Sequence, residues 1–388
     1  MAMNRVKKLH VSSPQGHSGA LIKESNFVFN SDPQSKLAVA SLALPIQSTT
    51  YKSGRLFSTF RMNRPEGFLL NFLKDKFSKT SNFDDMMLLK LIGANQIGRL
   101  TYTDPEDSIV SKPNPQVSMS EILSSSDSKE LFEFLVDAHF NSGISGFQPK
   151  VIVQTTDNAA LIVKSAGDDY PFLAQNEFLC MEVARRAGIE VPNFWLSDDG
   201  GLFVIERFDR AAGGIKHGLE DMTALMGKAS EEKYQGSYES VAKVIDLYCG
   251  KNAPESKAKL FEYVTLSALL RNGDAHLKNF SLIYDTPGGD VKLSPLYDVV
   301  TTAIYEIEDP QTGATKVDNT MALKMFKKKG FPSELALIKF GKSICMVENP
   351  EQIIEKIQEM KIEVMREYSV RMDDRLIKKI KVAWSLRD

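Results

Sequence analysis

Cysteine is scarce: Cys180, Cys249 and Cys345 are the three in 388 residues. They are odd in number, widely spaced and without a Cys-x-x-Cys pair, so no zinc clasp or dithiol redox centre can be built from them. Thiols of this kind suit a reducing compartment, and the expected location is the cytoplasm. No stretch approaches the ~18 consecutive apolar residues of a membrane span. The N-terminus carries Lys7 and Lys8 but then runs through His10, Ser12, Ser13 and Gln15, without the apolar core of a secretory signal. An excess of one charge is also missing. Lys and Arg (48) nearly balance Asp and Glu (50), leaving −2, which excludes the global positive footprint of a nucleic-acid binder. The run Lys327-Lys328-Lys329 is the kind of charge cluster that usually forms a solvated face. Several catalytic signatures are absent as well. There is no Gly-x-Ser-x-Gly elbow, so serine-hydrolase chemistry around His276 is excluded, and there is no Gly-x-Gly-x-x-Gly, Walker A or Asp-Phe-Gly.

What is present is an ordinary globular composition, 43% apolar and 25% charged, in a chain long enough for two or three domains. Residues 1–104 alternate short apolar runs with Gly, Ser, Pro and Asn, for example Lys36 to Pro45 and Gly19 to Leu21, which predicts strands and hairpins. A helical patch interrupts them at Phe68 to Leu73 and Met86 to Ile92. Residues 105–127 are rich in proline and serine and read as a linker. The core is expected over 128–388. Its first part, to about 210, holds strands (Val151 to Gln154, Ala160 to Lys164, Phe194 to Ser197, Leu202 to Phe208) and a helix from Asn176 to Arg186, stopped by Gly188 and Pro192. From 211 to 388 the pattern is mostly helical, broken by a hairpin at Asp285 to Asp290. The expected fold class is α+β.

The most informative segment is Arg271-Asn272-Gly273-Asp274-Ala275-His276-Leu277-Lys278-Asn279-Phe280-Ser281. Its Asp-x4-Asn spacing serves phosphoryl transfer when an aspartate accepts the acceptor-hydroxyl proton and an asparagine on the same loop holds magnesium. A helix-ending turn of solvated Asn, Gly and Asp has the same letters. Asp298 decides between them: the strands flanking the Asp285 to Asp290 turn return the chain, so Asp298 comes back toward Asn279 and two oxygen donors converge on a hard cation. Upstream, Ser145-Gly146-Phe147-Gln148-Pro149-Lys150 precedes a hairpin ending at Lys164, the order of a phosphate-covering turn followed by a strand lysine. Glu177 stands where a carboxylate could orient Lys164. Glu206-Arg207-Phe208-Asp209-Arg210 ends the strongest strand, at the place where a kinase chain crosses between lobes; a structural salt-bridge cluster is the competing reading.

With those residues in hand the chain resembles the HipA family of bacterial toxin kinases over nearly its whole length. Lys36 to Pro45, Asn63-Arg64-Pro65-Glu66-Gly67, Gly146 to Lys150, Asn176-Glu177, Glu206 to Arg210, Asp274 to Ser281 and Leu293 to Val299 follow the family's segments in order. The resemblance implies a β-rich N-terminal domain ahead of a divergent two-lobed protein-kinase core using ATP and Mg2+. It implies Asp274 as catalytic base and Asn279 and Asp298 on the metal. Ser145, Gly146, Phe147, Gln148, Pro149, Lys150, Lys164, His276, Leu277, Lys278 and Asn279 would lie at the phosphates, Glu206, Arg207 and Phe208 at adenine, and Tyr297 beside the nucleotide. The implied partners are a protein substrate such as an aminoacyl-tRNA synthetase and a HipB-type DNA-binding antitoxin, with DNA reached only through that antitoxin and no membrane. Where relatives carry a serine this chain has Gly143; Ser145 is retained and is the expected autophosphorylation site, with Ser142 its nearest rival. Two other readings carry the same acids: a small-molecule phosphotransferase, and a non-catalytic ATP-binding partner of a DNA-binding antitoxin. All the paired acids lie beyond the linker, so the N-terminal domain is expected to supply no catalytic group.

Overall fold

A computed structural model of the chain describes residues 5–45, 49–77, 83–106, 117–140, 144, 148–167, 169–211, 214–308, 313, 315–317 and 319–386. The alternation Leu9, Val11 against His10, Ser12 opens an antiparallel sheet. Its strands are β1 (Lys8–Ser13), β2 (Gly16–Lys23), β3 (Phe27–Ser31), β4 (Thr50–Ser53) and β5 (Thr101–Thr103), in the order β4-β3-β2-β1-β5. Leu9, Val11, Leu21 and Phe29 are fully buried, the period-two pattern of a sheet covered on one face. The cover is α1 (Ser58–Arg61) and α3 (Asp85–Ile92), which bring Phe60, Met86 and Leu89 into the same core. Between them, α2 (Gly67–Lys76) turns elsewhere. Its Leu69 and Leu73, one turn apart, join the core of the domain that follows, each burial contributing roughly 1.5–3 kcal/mol.

Two sequence expectations change here. No strand runs from Lys36 to Pro45: Lys36–Ala38 is a single 3-10 turn, and Ser41 and Leu44 form an isolated bridge. This segment's polar groups are used across a domain boundary instead. The stretch read as linker is folded at its end, where Ser118 and Glu121 form a reciprocal cap on α4 (Met119–Leu123) and Ile122 is buried. A five-residue helix with one fully buried apolar position has no periodicity to read among the serines.

Next come α5 (Ser128–Ala138), capped by Asp127, and a four-stranded sheet in the order β6-β7-β9-β8, made of β6 (Lys150–Gln154), β7 (Ala160–Ser165), β8 (Phe194–Leu196) and β9 (Leu202–Glu206). Between β7 and β8 lies α6 (Leu173–Arg186), three residues longer at its start than the sequence suggests because Phe172, at φ 63°, turns the chain into it. It stops at Gly188, whose φ of 84° and the bond from Ile189 N to Ala184 O complete a left-handed cap.

The second lobe begins after the short hairpin β10 (Arg210–Ala211) and β11 (Ile215–Lys216). It contains β12 (Gly218–Asp221), α7 (Met222–Leu225), α8 (Tyr238–Tyr248), α9 (Ala253–Leu269), β13 (Ser281–Tyr284), β14 (Lys292–Leu293), α10 (Glu334–Phe340), α11 (Pro350–Tyr368) and α12 (Asp374–Ala383). Strands β12, β13 and β14 pair antiparallel in that order. The second half of helix α9 is buried nearly all round, with Leu260, Phe261, Val264 and Leu266 at 0% exposure, as a central core segment must be. The architecture is α+β, a β-rich N-terminal domain ahead of two lobes, the second mostly helical.

The N-terminal domain is not a bead on a string. Arg207, Asp209 and Arg210 form a buried cluster that reaches it: Arg207 Nη2 and Arg210 Nη2 donate to Gln96 O at 2.7 and 2.8 Å, and Asp209 Oδ2 accepts from Gly98 N at 2.7 Å. On the second lobe, buried Glu220 accepts from Leu42 N at 2.8 Å and from the hydroxyls of Ser41 and Tyr284. The salt-bridge reading of Glu206 to Arg210 and the inter-lobe position therefore hold together.

Candidate active site

Strands β6 and β7 pair with Lys150 directly opposite Lys164, so both ammonium groups leave the same face. Like charges so placed repel, and two carboxylates offset this. Lys164 Nζ donates to Glu177 Oε1 of α6 at 2.6 Å and to Asp298 Oδ1; Lys150 Nζ lies 3.8 Å from Asp298 Oδ2. Burial works against the Lys164 charge, but Asp298 and Glu177 more than offset it and push the ammonium up. Burial pushes the Glu177 carboxyl up to about 7, with Lys164 pulling the other way. Asp298 is also penalised by burial, yet Lys150 and Lys164 hold it well below the usual carboxylate range.

The loop carrying Asp274 is set by the end of α9. Asn272 N bonds to Ser267 O and Arg271 N to Ala268 O, with Arg271 at φ 55° in the place glycine usually takes. Gly273 N then donates to Thr302 Oγ1 at 2.7 Å. A Cβ at Gly273 would stand 2.6 Å from Thr320 O and 2.9 Å from Thr302 Oγ1, so only glycine fits. Asp274 is partly exposed, accepts from Tyr234 Oη at 2.7 Å and lies 3.9 Å from His276 Nε2. Burial lowers His276 to about 4, so its ring is neutral at physiological pH. Its Nδ1 is buried without a hydrogen-bond partner.

Asp298 sits at φ 61°, a conformation an aspartate tolerates better than most residues. Asn176 fixes the following turn, accepting from Thr301 N at 2.9 Å and donating to Thr301 O at 3.0 Å. Asn279 Nδ2 donates to Asp298 O at 3.3 Å, while its Oδ1 is buried and unpartnered. An unmatched buried carbonyl oxygen costs roughly 1–3 kcal/mol, and beside a low-pKa carboxylate it suits a hard cation. Among the described residues no three His, Cys, Asp or Glu side chains cluster as a metal cage. The donor set therefore fits magnesium, which keeps waters and shares its remaining ligands with phosphate.

Lys150, Lys164, Asp274, His276 and Asp298 face one cavity of about 660 Å³, a size suited to a nucleotide-sized ligand. Phe208 and Tyr297 stand 5.7 Å apart on one side, with Ile162, Ile205 and Leu219 completing an apolar slot. Tyr297 Oη is held by Ser281 Oγ at 2.6 Å and by Lys278 O at 2.9 Å. Gln148, Lys150, Lys164, Glu206, Arg207, Phe208, Asp274, His276, Lys278, Tyr297 and Asp298 all line it. Three expected nucleotide contacts do not: Leu277 is fully buried in the second-lobe core, Pro149 is turned to the loop at Gly167, and Asn279 is buried against the Asp298 backbone. Ser145, Gly146 and Phe147 lie outside the described residues. The sequence reading missed the slot residues Ile162, Ile205 and Leu219, together with Asn176 as a strut and Tyr234. The alternation that puts Ile162 on the face of Lys164 was a usable signal; nothing local marks Tyr234. The N-terminal domain, expected to supply no catalytic group, forms part of the wall through Met62, Asn63 and Ile97. Lys278 Nζ lies 3.2 Å from Glu66 Oε1 and 3.3 Å from Met62 O.

Comparison with known proteins agrees with this division of the chain. The HipA N-terminal domain model matches residues 9–103 and the HipA-like C-terminal domain model residues 142–366, more than half of the chain. A protein of Haemophilus influenzae described as a kinase is 35% identical over 185 residues, 42% of this chain and 53% of its own length. One of Sinorhizobium fredii, also described as a kinase, is 32% identical over 185 residues, 43% of either protein. The chain thus matches only about half the length of these two. The serine/threonine-protein kinase toxin HipA of Shewanella oneidensis is 23% identical over 299 residues, 69% of this chain and 67% of that one. The solved complex of Shewanella oneidensis HipA with HipB and operator DNA shares the fold with a TM-score of 0.69 at 18% identity, over 96% of both chains. Two family models matched in sequence, one for the domain that closes the cavity wall and one for the lobes that hold its acids, make this chain a member of the HipA family.

Proposed function

We propose that the chain is an ATP- and Mg2+-dependent serine/threonine protein kinase acting as a HipA-type toxin in the cytoplasm. One observation carries the reading: Lys164, Asp274 and Asp298 come from three separate segments and converge on a single cavity with an apolar slot, with Glu177 bonded to Lys164 and Asn279 bonded to the Asp298 backbone behind them. Lys164 and Lys150 would bind phosphate oxygens, Lys164 being held in place by Glu177. Asn279 Oδ1 and Asp298 would hold magnesium, which when bound neutralises charge on the transferring phosphoryl group. Asp274 accepts the proton of the acceptor hydroxyl. Neutral His276 has a free ring nitrogen for a phosphate or water contact. Phe208 and Tyr297 would flank the base.

The protein substrate is proposed to be a translation component such as an aminoacyl-tRNA synthetase, and the partner a HipB-type antitoxin, since a relative of the same fold is found with HipB and operator DNA. DNA would be reached through that antitoxin. Ser145 is the proposed autophosphorylation site. Incubating the purified chain with labelled ATP, magnesium and a lysate, then locating the label by mass spectrometry, tests the reading. A labelled protein is the expected result. Label in a small metabolite would instead favour a small-molecule phosphotransferase, and no transfer at all a non-catalytic nucleotide-binding partner. Intact-mass comparison with Asp274→Asn and Ser145→Ala tests the autophosphorylation site, since the phosphate should be missing from both.

A further inference from the structure

Resting on the kinase reading, we propose that Tyr234 occupies the acceptor-hydroxyl position of the site, so that a protein substrate enters by displacing it. In phosphoryl transfer the catalytic aspartate accepts a hydrogen bond from the hydroxyl about to be phosphorylated. Here the hydroxyl in that place belongs to the chain itself: Tyr234 Oη donates to Asp274 Oδ1 at 2.7 Å. Burial and the adjacent Asp274 charge push the phenol up, so it stays a protonated donor and a poor nucleophile. It fills the position without being well suited to react there.

The surroundings fit a plug that can leave. Tyr234 is 41% exposed, and its ring packs edge-on against His276 at 5.1 Å. Its neighbour Lys233 is tied to the catalytic loop by the bond from Leu277 N to Lys233 O, so the backbone stays while the side chain can rotate. Tyr170 and Tyr305, from the other side, also line the cavity, with their rings 5.2 Å apart edge to face. A segment delivering a serine or threonine to Asp274 would therefore pass an aromatic mouth. The occupant that this chemistry recognises is an extended peptide with a hydroxyl residue next to apolar or aromatic neighbours.

Steady-state phosphorylation of a peptide library bearing single serines or threonines tests this on the full chain and on Tyr234→Phe, with Asp274→Asn as the inactive control. The substitution removes only a hydroxyl from a partly exposed ring, and calorimetry with Mg-ATP checks that the nucleotide site persists. The expected result is a fall of roughly tenfold or more in the KM for peptide, the factor one hydrogen bond to a charged group carries, with the KM for ATP unchanged and kcat not reduced. A silent wild type beside an active Tyr234→Phe supports the proposal equally. An unchanged or raised peptide KM overturns it alone, as does a fall in kcat at constant KM, which would make Tyr234 an orienting group for Asp274. Absence of any phosphoryl transfer and of any ATP hydrolysis in every variant overturns the kinase reading and this proposal together.

Discussion

Replacing Lys164 by methionine keeps the length and volume of the side chain but removes the ammonium shared by Glu177 and Asp298. Asp298 retains Lys150 at 3.8 Å, and its side chain is 30% exposed, so solvent screens part of its loss. Glu177 keeps only the more distant attraction of Lys150. It is 0% exposed, and its Oε2 already lacks a partner. Removing one member of a buried pair costs roughly 3–5 kcal/mol, but a carboxyl can escape part of that by taking up a proton. With Lys164 in place, burial already raises Glu177 from 4.5 to about 7; without it the carboxyl must rise further. Because the folded state then binds a proton that the unfolded chain has lost, stability falls as pH rises between about 4.5 and the folded pKa, by up to ~1.4 kcal/mol per pH unit. The wild-type carboxyl already follows this slope up to about 7, so the two proteins diverge only above it: the variant should trail by roughly 3–5 kcal/mol at pH 8 and by about 1.4 kcal/mol less at pH 5. Urea midpoints of both proteins at pH 5, 6.5 and 8 measure the gap. Adding Glu177→Gln should recover about 1.4 kcal/mol more of the loss at pH 8 than at pH 5. A gap that does not change with pH, or a double variant less stable than Lys164→Met at pH 8, refutes the reasoning.

Asp274→Asn should abolish phosphoryl transfer while leaving Mg-ATP affinity nearly intact, whereas Asp298→Asn should weaken magnesium-dependent nucleotide binding too, because a neutral amide is a poorer ligand for a hard dication; calorimetry with and without magnesium separates them. Asp209→Asn leaves Arg207 and Arg210 without the carboxylate that both contact, at 2% exposure. It should cost roughly 3–5 kcal/mol and reduce hydrogen-exchange protection at Gly98 and in β5; unchanged protection there would count against the interface role. His276 should titrate near 4 by NMR. Since that lies below its ordinary 6.5, its contribution to stability is fully present above pH 6.5 and lost as pH falls toward 4. His276→Asn should remove that share of the acid slope, and an imidazole titrating at 6 or above would contradict the burial argument.

The sequence by itself determined the elements whose signals are local. Gly188 with Pro192 marked the end of α6, the apolar run from Leu202 marked β9, and the Asp-x4-Asn spacing marked the loop between α9 and β13. The return of Asp298 toward Asn279 was also legible, because a hairpin fixes where its ends lie. Lys164 beside Glu177 stayed open in the sequence, where an acid at a helix N-terminus explains Glu177 equally well; the structure pairs them. Only the tertiary structure decided the rest. That Lys150 and Lys164 oppose each other depends on the β6–β7 register, and one residue of slip would send them to opposite faces. Tyr234 reaches Asp274 from 40 residues away with no periodic or motif signal, and Ser41 reaches Glu220 across 179, a contact that its place in the Lys36 to Pro45 segment does not announce. The N-terminal domain was expected to supply no catalytic group because its own segment holds no paired acids. It became part of the cavity because Leu69 and Leu73 had apolar surface to bury and Gln96 and Gly98 had backbone groups to satisfy, and the partners for both lay on the other domain.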